Sequence, residues 1–317
     1  MRLSFNEIQR ITLGAHKIEE QEDGIHFYKC TEKQNKAWAA YSEVLGTRAL
    51  ATTGVRLDFY TNSKKMVLGS HGGRFDLKLN GVLRAKTDPS AEEIISLTDV
   101  RGRHQERMRV TLIFPSHSIG VIEYVELDDG AYVEPTSHSM RIMFIGDSIT
   151  QGFNSEYNST SYAWRVTDHY DADALINGIG GAFFAPDSFD VPAFDPDVLV
   201  IAYGTNDYGR NVSFEEKHAR VSDYLDLIKA QYSDKKVIVI SPIWRCNAEG
   251  VNMPDAFDEF RTFIENEAVA RGFYAICGLS LVPPIQKLYA DGHLHPNDLG
   301  FAAYAENLIK QMNEIIG

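Results

Sequence analysis

Four consecutive apolar residues, Ile142-Met143-Phe144-Ile145, run into the small polar turn Gly146-Asp147-Ser148-Ile149-Thr150-Gln151-Gly152, and this junction constrains the chain more than any other stretch. An unbroken apolar run ending at a glycine predicts a strand covered on both faces, as in a parallel sheet. A serine at the carboxyl end of such a strand stands where open α/β sheets place their ligands. A helix starting just behind it would aim N–H groups at an anion. The plainer reading is that Asp147-Ser148 only caps a helix.

The sequence after this junction alternates strand and helix patterns. Strands are expected at Ala174-Leu175-Ile176-Asn177, Asp197 to Tyr203, Lys236 to Ile240 and, more weakly, Phe273 to Ile276. Helical spacing marks Tyr162 to Tyr170, Phe214 to Tyr232 (Val221, Leu225 and Ile228 on one face), Phe257 to Arg271 and Leu299 to Ile316. This alternation implies parallel βαβ units in a doubly wound α/β sheet, whose strand ends open onto one rim.

Residues 1 to about 137 read differently. Gly54 to Tyr60, Phe75 to Leu79, Met108 to Phe114 and Gly120 to Leu127 alternate apolar with polar residues, and Asn80-Gly81 is a strong hairpin signal. One wet and one buried face per strand predicts antiparallel sheets packed as a β-sandwich. The boundary is expected at Val133-Glu134-Pro135-Thr136-Ser137-His138-Ser139, giving an accessory unit, 1–137, and a second domain, 138–317. No catalytic constellation stands out in the first unit. His71 and His104 read as exposed loop residues, and Trp38 with Tyr41 could stack on a sugar but more simply fills core.

Composition limits the partners. A formal net charge of -13 argues against nucleic acid, whose binding rests on Lys and Arg neutralising phosphates. No apolar stretch has the length of a membrane span or signal peptide, and Cys30, Cys246 and Cys277 are too scattered for a disulfide framework or a CxxC metal site. A cytoplasmic protein without a membrane partner is the expectation, and a homo-oligomer remains compatible with it. The histidines lack HExxH spacing, so neither a metal nor a cofactor is expected.

Four motifs fall on the rim, in the order Gly146-Asp147-Ser148-Ile149-Thr150, Asn177-Gly178-Ile179-Gly180-Gly181, Gly204-Thr205-Asn206-Asp207 and Asp291-Gly292-His293-Leu294-His295-Pro296-Asn297-Asp298. Their succession resembles the four blocks of the GDSL or SGNH hydrolases, over residues 140 to 300. The resemblance implies a flavodoxin-like three-layer α/β/α catalytic domain and acyl transfer without a cofactor. Carried over by position, Ser148 is the nucleophile and His295 the base, with Asp291 orienting it. Ser148, Gly181 and Asn206 would supply the oxyanion hole, Gly181 being chosen over Gly180 by the family's Gly-x-x-Gly pattern. A serine hydroxyl needs such a base, and the oxyanion needs such donors. Asn297 or Asp298 reads as a helix cap, and Asp147 and Asp207 as braces for their loops.

The last block departs from the family, which writes Asp-x-x-His. Three residues separate Asp291 from His295, and Gly292 occupies the expected acid position. Either the turn bulges by one residue so that Asp291 still reaches His295, or a backbone carbonyl orients the imidazole. The bulge is favoured, because glycine at 292 permits unusual backbone angles.

A β-sandwich, jelly-roll-like, preceding an SGNH domain resembles the layout of the family-two carbohydrate esterases. That likeness implies an O-acetylated oligosaccharide or similar small ester as substrate. Trp244-Arg245, beyond the Val237 to Ile240 strand and so on the same rim, could stack on and hydrogen-bond a sugar, with a core or lid role as the alternative for Trp244. The alternatives are a short-chain carboxylesterase or lysophospholipase-like hydrolase, and a sugar-binding protein on a degenerate hydrolase scaffold.

Overall fold

The computed structural model describes residues 1–87, 92–246 and 255–317. Its parallel sheet has the order Asp173–Gly178, Arg141–Gly146, Val198–Ala202, Lys236–Ile240, Tyr274–Ile276, which is 2-1-3-4-5 in chain order. Side chains alternate across the strands, so each strand feeds two cores. Met143, Ile145, Leu175, Leu199, Ile201, Val237 and Val239 face one core, shared with the helices Phe214–Gln231 and Asp255–Ala270. Ile142, Phe144, Ala174, Ile176, Val200, Ile238 and Ile240 face the other, shared with Tyr162–His169 and Asp298–Ile316. This double burial is why these strands read as continuous apolar runs.

The N-terminal region contains two antiparallel sheets. One has the order Thr12–Leu13, Arg56–Thr61, Met108–Ile113, Asp76–Leu79, Val82–Lys86, with Glu134–Pro135 also on Arg56–Thr61. The other runs Lys17–Gln21, Gly24–Tyr28, Val121–Leu127, Lys65–His71, Glu93–Ser96. Leu57, Phe59, Leu77 and Val110 of the first sheet and Phe27, Leu68, Ile122 and Val125 of the second share one apolar core. Asn80 and Gly81, both at positive φ, close the Asp76–Leu79 hairpin.

The period-two reading of the first 137 residues did not anticipate the helices Phe5–Ile11, Glu32–Tyr41 and Glu43–Leu50. The last two leave the antiparallel core altogether: Trp38, Leu45 and Ala49 are buried in the core of the parallel sheet, where Trp38 meets the Phe183 ring edge-on at 5.6 Å. Trp38 is therefore core, and Tyr41 donates its hydroxyl to Asp187 at 2.6 Å. Among the described residues no helix is long and apolar enough to cross a membrane.

Candidate active site

The register of the parallel sheet assembles the site. Gly146, ending the central strand, pairs with Gly178 on one side and Ala202 on the other. Ser148, Gly181 and Asn206 each lie two to four residues beyond these three neighbouring strand ends and so reach one rim.

Asp147 accepts the Ile149 N–H at 2.9 Å and caps the single-turn helix Ser148–Gln151. Ser148 begins that turn, so its N–H belongs to the donors a helix start leaves unpaired. The chain then folds back, with the Phe153 N–H on the Ser148 carbonyl at 2.8 Å. Ser148 is buried, with 7% of its surface exposed.

His295 lies on a closed loop between the last strand and the final helix. Tyr289 and Pro296 form an antiparallel bridge, the Ala290 N–H donates to the His295 carbonyl at 2.8 Å, and Asn297 caps the final helix through Leu299 and Gly300. Ser148 Oγ lies 2.9 Å from His295 Nε2, and His295 Nδ1 lies 2.7 Å from Asp291 Oδ2. With the serine hydroxyl donating to Nε2, the Nδ1 proton faces the carboxylate, which fixes the tautomer a proton-accepting Nε2 requires.

Gly292 absorbs the additional residue in this block. It sits at φ +76° with no atom of the described residues within 4 Å of where a Cβ would stand, and its N–H donates to the Tyr289 carbonyl at 3.1 Å. The chain then wraps around the carboxylate: Asp291 Oδ1 accepts the N–H groups of His293, Leu294 and His295 at 3.0, 2.8 and 3.0 Å. Burial alone would raise the Asp291 pKa, but these three N–H groups and the His295 ring hold it down at about 2. The imidazole therefore faces a carboxylate side chain and not a backbone carbonyl.

Gly181 sits at φ +90°, in the backbone region that favours glycine, and its N–H finds no acceptor among the described residues. Asn206 donates one amide hydrogen to the Ala182 carbonyl at 2.9 Å, which fixes the amide plane and leaves the second hydrogen for a ligand. Behind them Asp207 accepts the Phe184 N–H at 2.9 Å, while its Oδ2 is buried without a partner among the described residues. Burial pushes the pKa values of both Asp147 and Asp207 up to about 7. Both carboxylates brace loops, as their positions suggested.

Trp244 and Arg245 are half-buried and engaged with the protein. The Trp244 ring lies 5.0 Å from Tyr289, and Arg245 donates to the Thr205 carbonyl at 2.8 Å. The adjacent Cys246 N–H bonds the His293 carbonyl, tying this segment to the histidine loop.

Three further residues meet the site without having been singled out by sequence. Phe153, 37% exposed, has its ring 4.9 Å from that of His295. Gln151 accepts the Gly180 N–H at 2.7 Å and donates to the Ser116 carbonyl at 2.8 Å. Arg48 donates to the Gly180 carbonyl at 2.8 Å. Gln151 is one polar residue among several in its turn and carried no distinguishing sign in the sequence, and neither did Arg48.

The order of the blocks and this geometry meet in one comparison: residues 144–303, half of the chain, match the GDSL-like Lipase/Acylhydrolase family. The chain belongs to that family. As a member it is an ester hydrolase. No curated protein matches it. Among solved structures, its fold is similar to a salicylyl-acyltransferase from a tetracycline biosynthetic pathway (TM-score 0.81, 17% identity, 96% of this chain and 94% of that one). It is also similar to a family two carbohydrate esterase from Clostridium thermocellum in complex with cellohexaose (TM-score 0.69, 15% identity, 96% and 99%). A third is an acetyl xylan esterase from the rumen bacterium Butyrivibrio proteoclasticus (TM-score 0.61, 16% identity, 83% and 90%).

Proposed function

We propose that this acylhydrolase removes O-acetyl groups from acetylated oligosaccharides through an acyl-enzyme on Ser148. The observation that carries the reading is the hydrogen-bonded chain from Ser148 through His295 to Asp291 beside the Gly181 N–H, which has no acceptor among the described residues. In the first half-reaction Ser148 Oγ attacks the acetyl carbonyl as His295 Nε2 takes its proton, and the N–H groups of Ser148 and Gly181 with the Asn206 amide receive the oxyanion. Return of that proton to the departing sugar oxygen releases the deacetylated sugar. Water, giving its proton to the same nitrogen, then attacks the acyl-enzyme carbonyl, and return of that proton to Ser148 Oγ as the ester bond breaks releases acetate and restores the serine.

The oligosaccharide part of the proposal is supported by the fold shared with the two carbohydrate esterases and by the exposed Phe153 ring beside His295, a surface on which a sugar ring can lie. Trp244 and Arg245 would line the same rim. Residues 1–137 would form a jelly-roll-like accessory domain, and 138–317 a three-layer catalytic domain. The substrate would be soluble and met in the cytoplasm, with no cofactor.

The test is the initial rate of acetate release from acetylated xylo- and manno-oligosaccharides, set beside butyrate and octanoate aryl esters, with Ser148→Ala as control. Fast sugar deacetylation that disappears in Ser148→Ala supports the proposal. Preference for the longer aryl esters moves the substrate to lipid-like esters, and turnover that persists in Ser148→Ala removes the nucleophile.

A further inference from the structure

We propose that Arg48, on the N-terminal helix Glu43–Leu50, is a positioning residue for the oxyanion hole, acting through the peptide that joins Gly180 to Gly181. The inference rests on the reading of Ser148 and Gly181 given above. The Gly180 carbonyl and the Gly181 N–H belong to one planar trans peptide, so they point in opposite directions. Whatever fixes the carbonyl also aims the N–H. Arg48 Nη1 holds that carbonyl at 2.8 Å.

A clamp is needed here because the peptide lies between two glycines, Gly181 at φ +90°, and glycine places little steric limit on rotation of its flanking peptides. Gln151 fixes the preceding peptide by accepting the Gly180 N–H at 2.7 Å. The Ala182 N–H closes the turn on the Ile179 carbonyl at 2.9 Å, a bond that spans the Gly180–Gly181 unit without choosing which way its carbonyl faces. Arg48 makes that choice. The guanidinium is also close: a Cβ on Gly181 would stand 3.4 Å from Arg48 Nη1. Its charge polarises the carbonyl it touches and strengthens the N–H at the other end of the same peptide as a donor. The Arg48 backbone has a separate role, its carbonyl accepting from Lys29 Nζ at 3.1 Å, and a side-chain substitution leaves that bond in place.

The experiment compares wild type, Arg48→Met and Arg48→Lys in the full chain. It follows the rate at which a fluorophosphonate modifies Ser148, by intact mass, together with kcat and KM for p-nitrophenyl acetate and the melting temperature. Misaiming one oxyanion donor is expected to lower kcat and the labelling rate of Arg48→Met together by about 10- to 100-fold, below the roughly 100- to 1,000-fold cost of deleting a donor. KM stays within about twofold, and Arg48→Lys, which can reach the same carbonyl, recovers most of the loss. Labelling of Arg48→Met within threefold of wild type overturns the proposal, as does a loss that appears in KM alone. Should Arg48→Met fail to fold, Arg48→Gln is measured instead, with a smaller parallel fall expected and unchanged labelling overturning the proposal. A wild-type protein that the probe does not label refutes the nucleophile reading; a labelled wild type matched by Arg48→Met refutes only the role of Arg48.

Discussion

Asp291→Asn separates the two tasks of this carboxylate. Oδ1 holds three backbone N–H groups of the histidine loop, and Oδ2 holds His295 Nδ1. Asparagine has the same shape, so its oxygen keeps the loop while its NH2 group replaces Oδ2. An NH2 donor facing Nδ1 requires that nitrogen to accept, which places the ring proton on Nε2. A protonated Nε2 cannot take the Ser148 proton. Rotating the amide does not rescue the variant, since it would turn NH2 toward three N–H donors at about 1 to 3 kcal/mol for each lost acceptor when buried. The equivalent change in a known serine protease lowers kcat about 10,000-fold, close to 5 kcal/mol of barrier at about 1.4 kcal/mol per decade.

The expected result is a fall in kcat of about 1,000- to 10,000-fold on p-nitrophenyl acetate. The melting temperature should fall by only a few degrees, because the loop keeps its acceptor in a position that is already partly exposed. A variant that keeps more than a tenth of wild-type kcat would refute the relay argument. The pH dependence is a second check on the same carboxylate. Its folded pKa is lowered to about 2, so the stability it contributes is complete above the unfolded carboxylate range near 4 and is lost as pH falls through about 2. An acid limb of kcat/KM above pH 4 is therefore not titration of Asp291.

Asn206→Ala removes an amide donor at the oxyanion and is expected to cost about 100- to 1,000-fold in kcat, with a small change in KM, on the same aryl ester. Gly292→Ala meets no atom of the described residues and carries the penalty of a left-handed alanine, about 1 to 2 kcal/mol, so melting falls by several degrees while kcat stays within a few-fold. Gly181→Ala adds the same backbone penalty beside Leu45 Cδ2 at 3.3 Å and is expected to lower kcat at least tenfold, by steady-state kinetics. Asp147 and Asp207, raised to about 7 by burial, bind protons more tightly folded than unfolded. Their contribution is present below the unfolded range near 4 and is lost as pH rises through about 7, so denaturant midpoints should fall between pH 5 and 8. Asp207→Asn should flatten that fall, and an unchanged slope would count against a raised Asp207.

The parallel sheet was legible because its four longer strands are buried on both faces, which leaves an apolar run, whereas the edge strand Tyr274–Ile276, exposed at Tyr274, read only weakly; Lys236–Ile240 was bounded to the residue. The site loops followed, since a parallel sheet commits Ser148, Gly181 and Asn206 to one rim wherever its strands end. The Asp291 loop was legible only as a choice between two arrangements. Sequence spacing counts residues along the chain, whereas the three N–H groups converging on Oδ1 are a property of backbone curvature through Gly292.

The N-terminal helices were missed for a different reason, although their signals were present. Ser4-x-x-Glu7 and Thr31-x-x-Gln34 are capping boxes, and both form. What hid Glu32–Tyr41 and Glu43–Leu50 is that they expose much of their surface and bury chiefly Trp38, Leu45 and Ala49, too few apolar positions to make a helical stripe. Their burial is satisfied by Phe183 and its neighbours, supplied by the other half of the chain. The same packing brings Arg48 to Gly180, 132 residues away in sequence. The four motifs specify which groups belong at the site, but the direction of the Gly180–Gly181 peptide depends on a helix outside all of them. If that dependence holds, residues 138–317 expressed alone would carry every motif and still have a misaimed oxyanion donor. The N-terminal region would then be part of the catalytic apparatus and not an appendage to it.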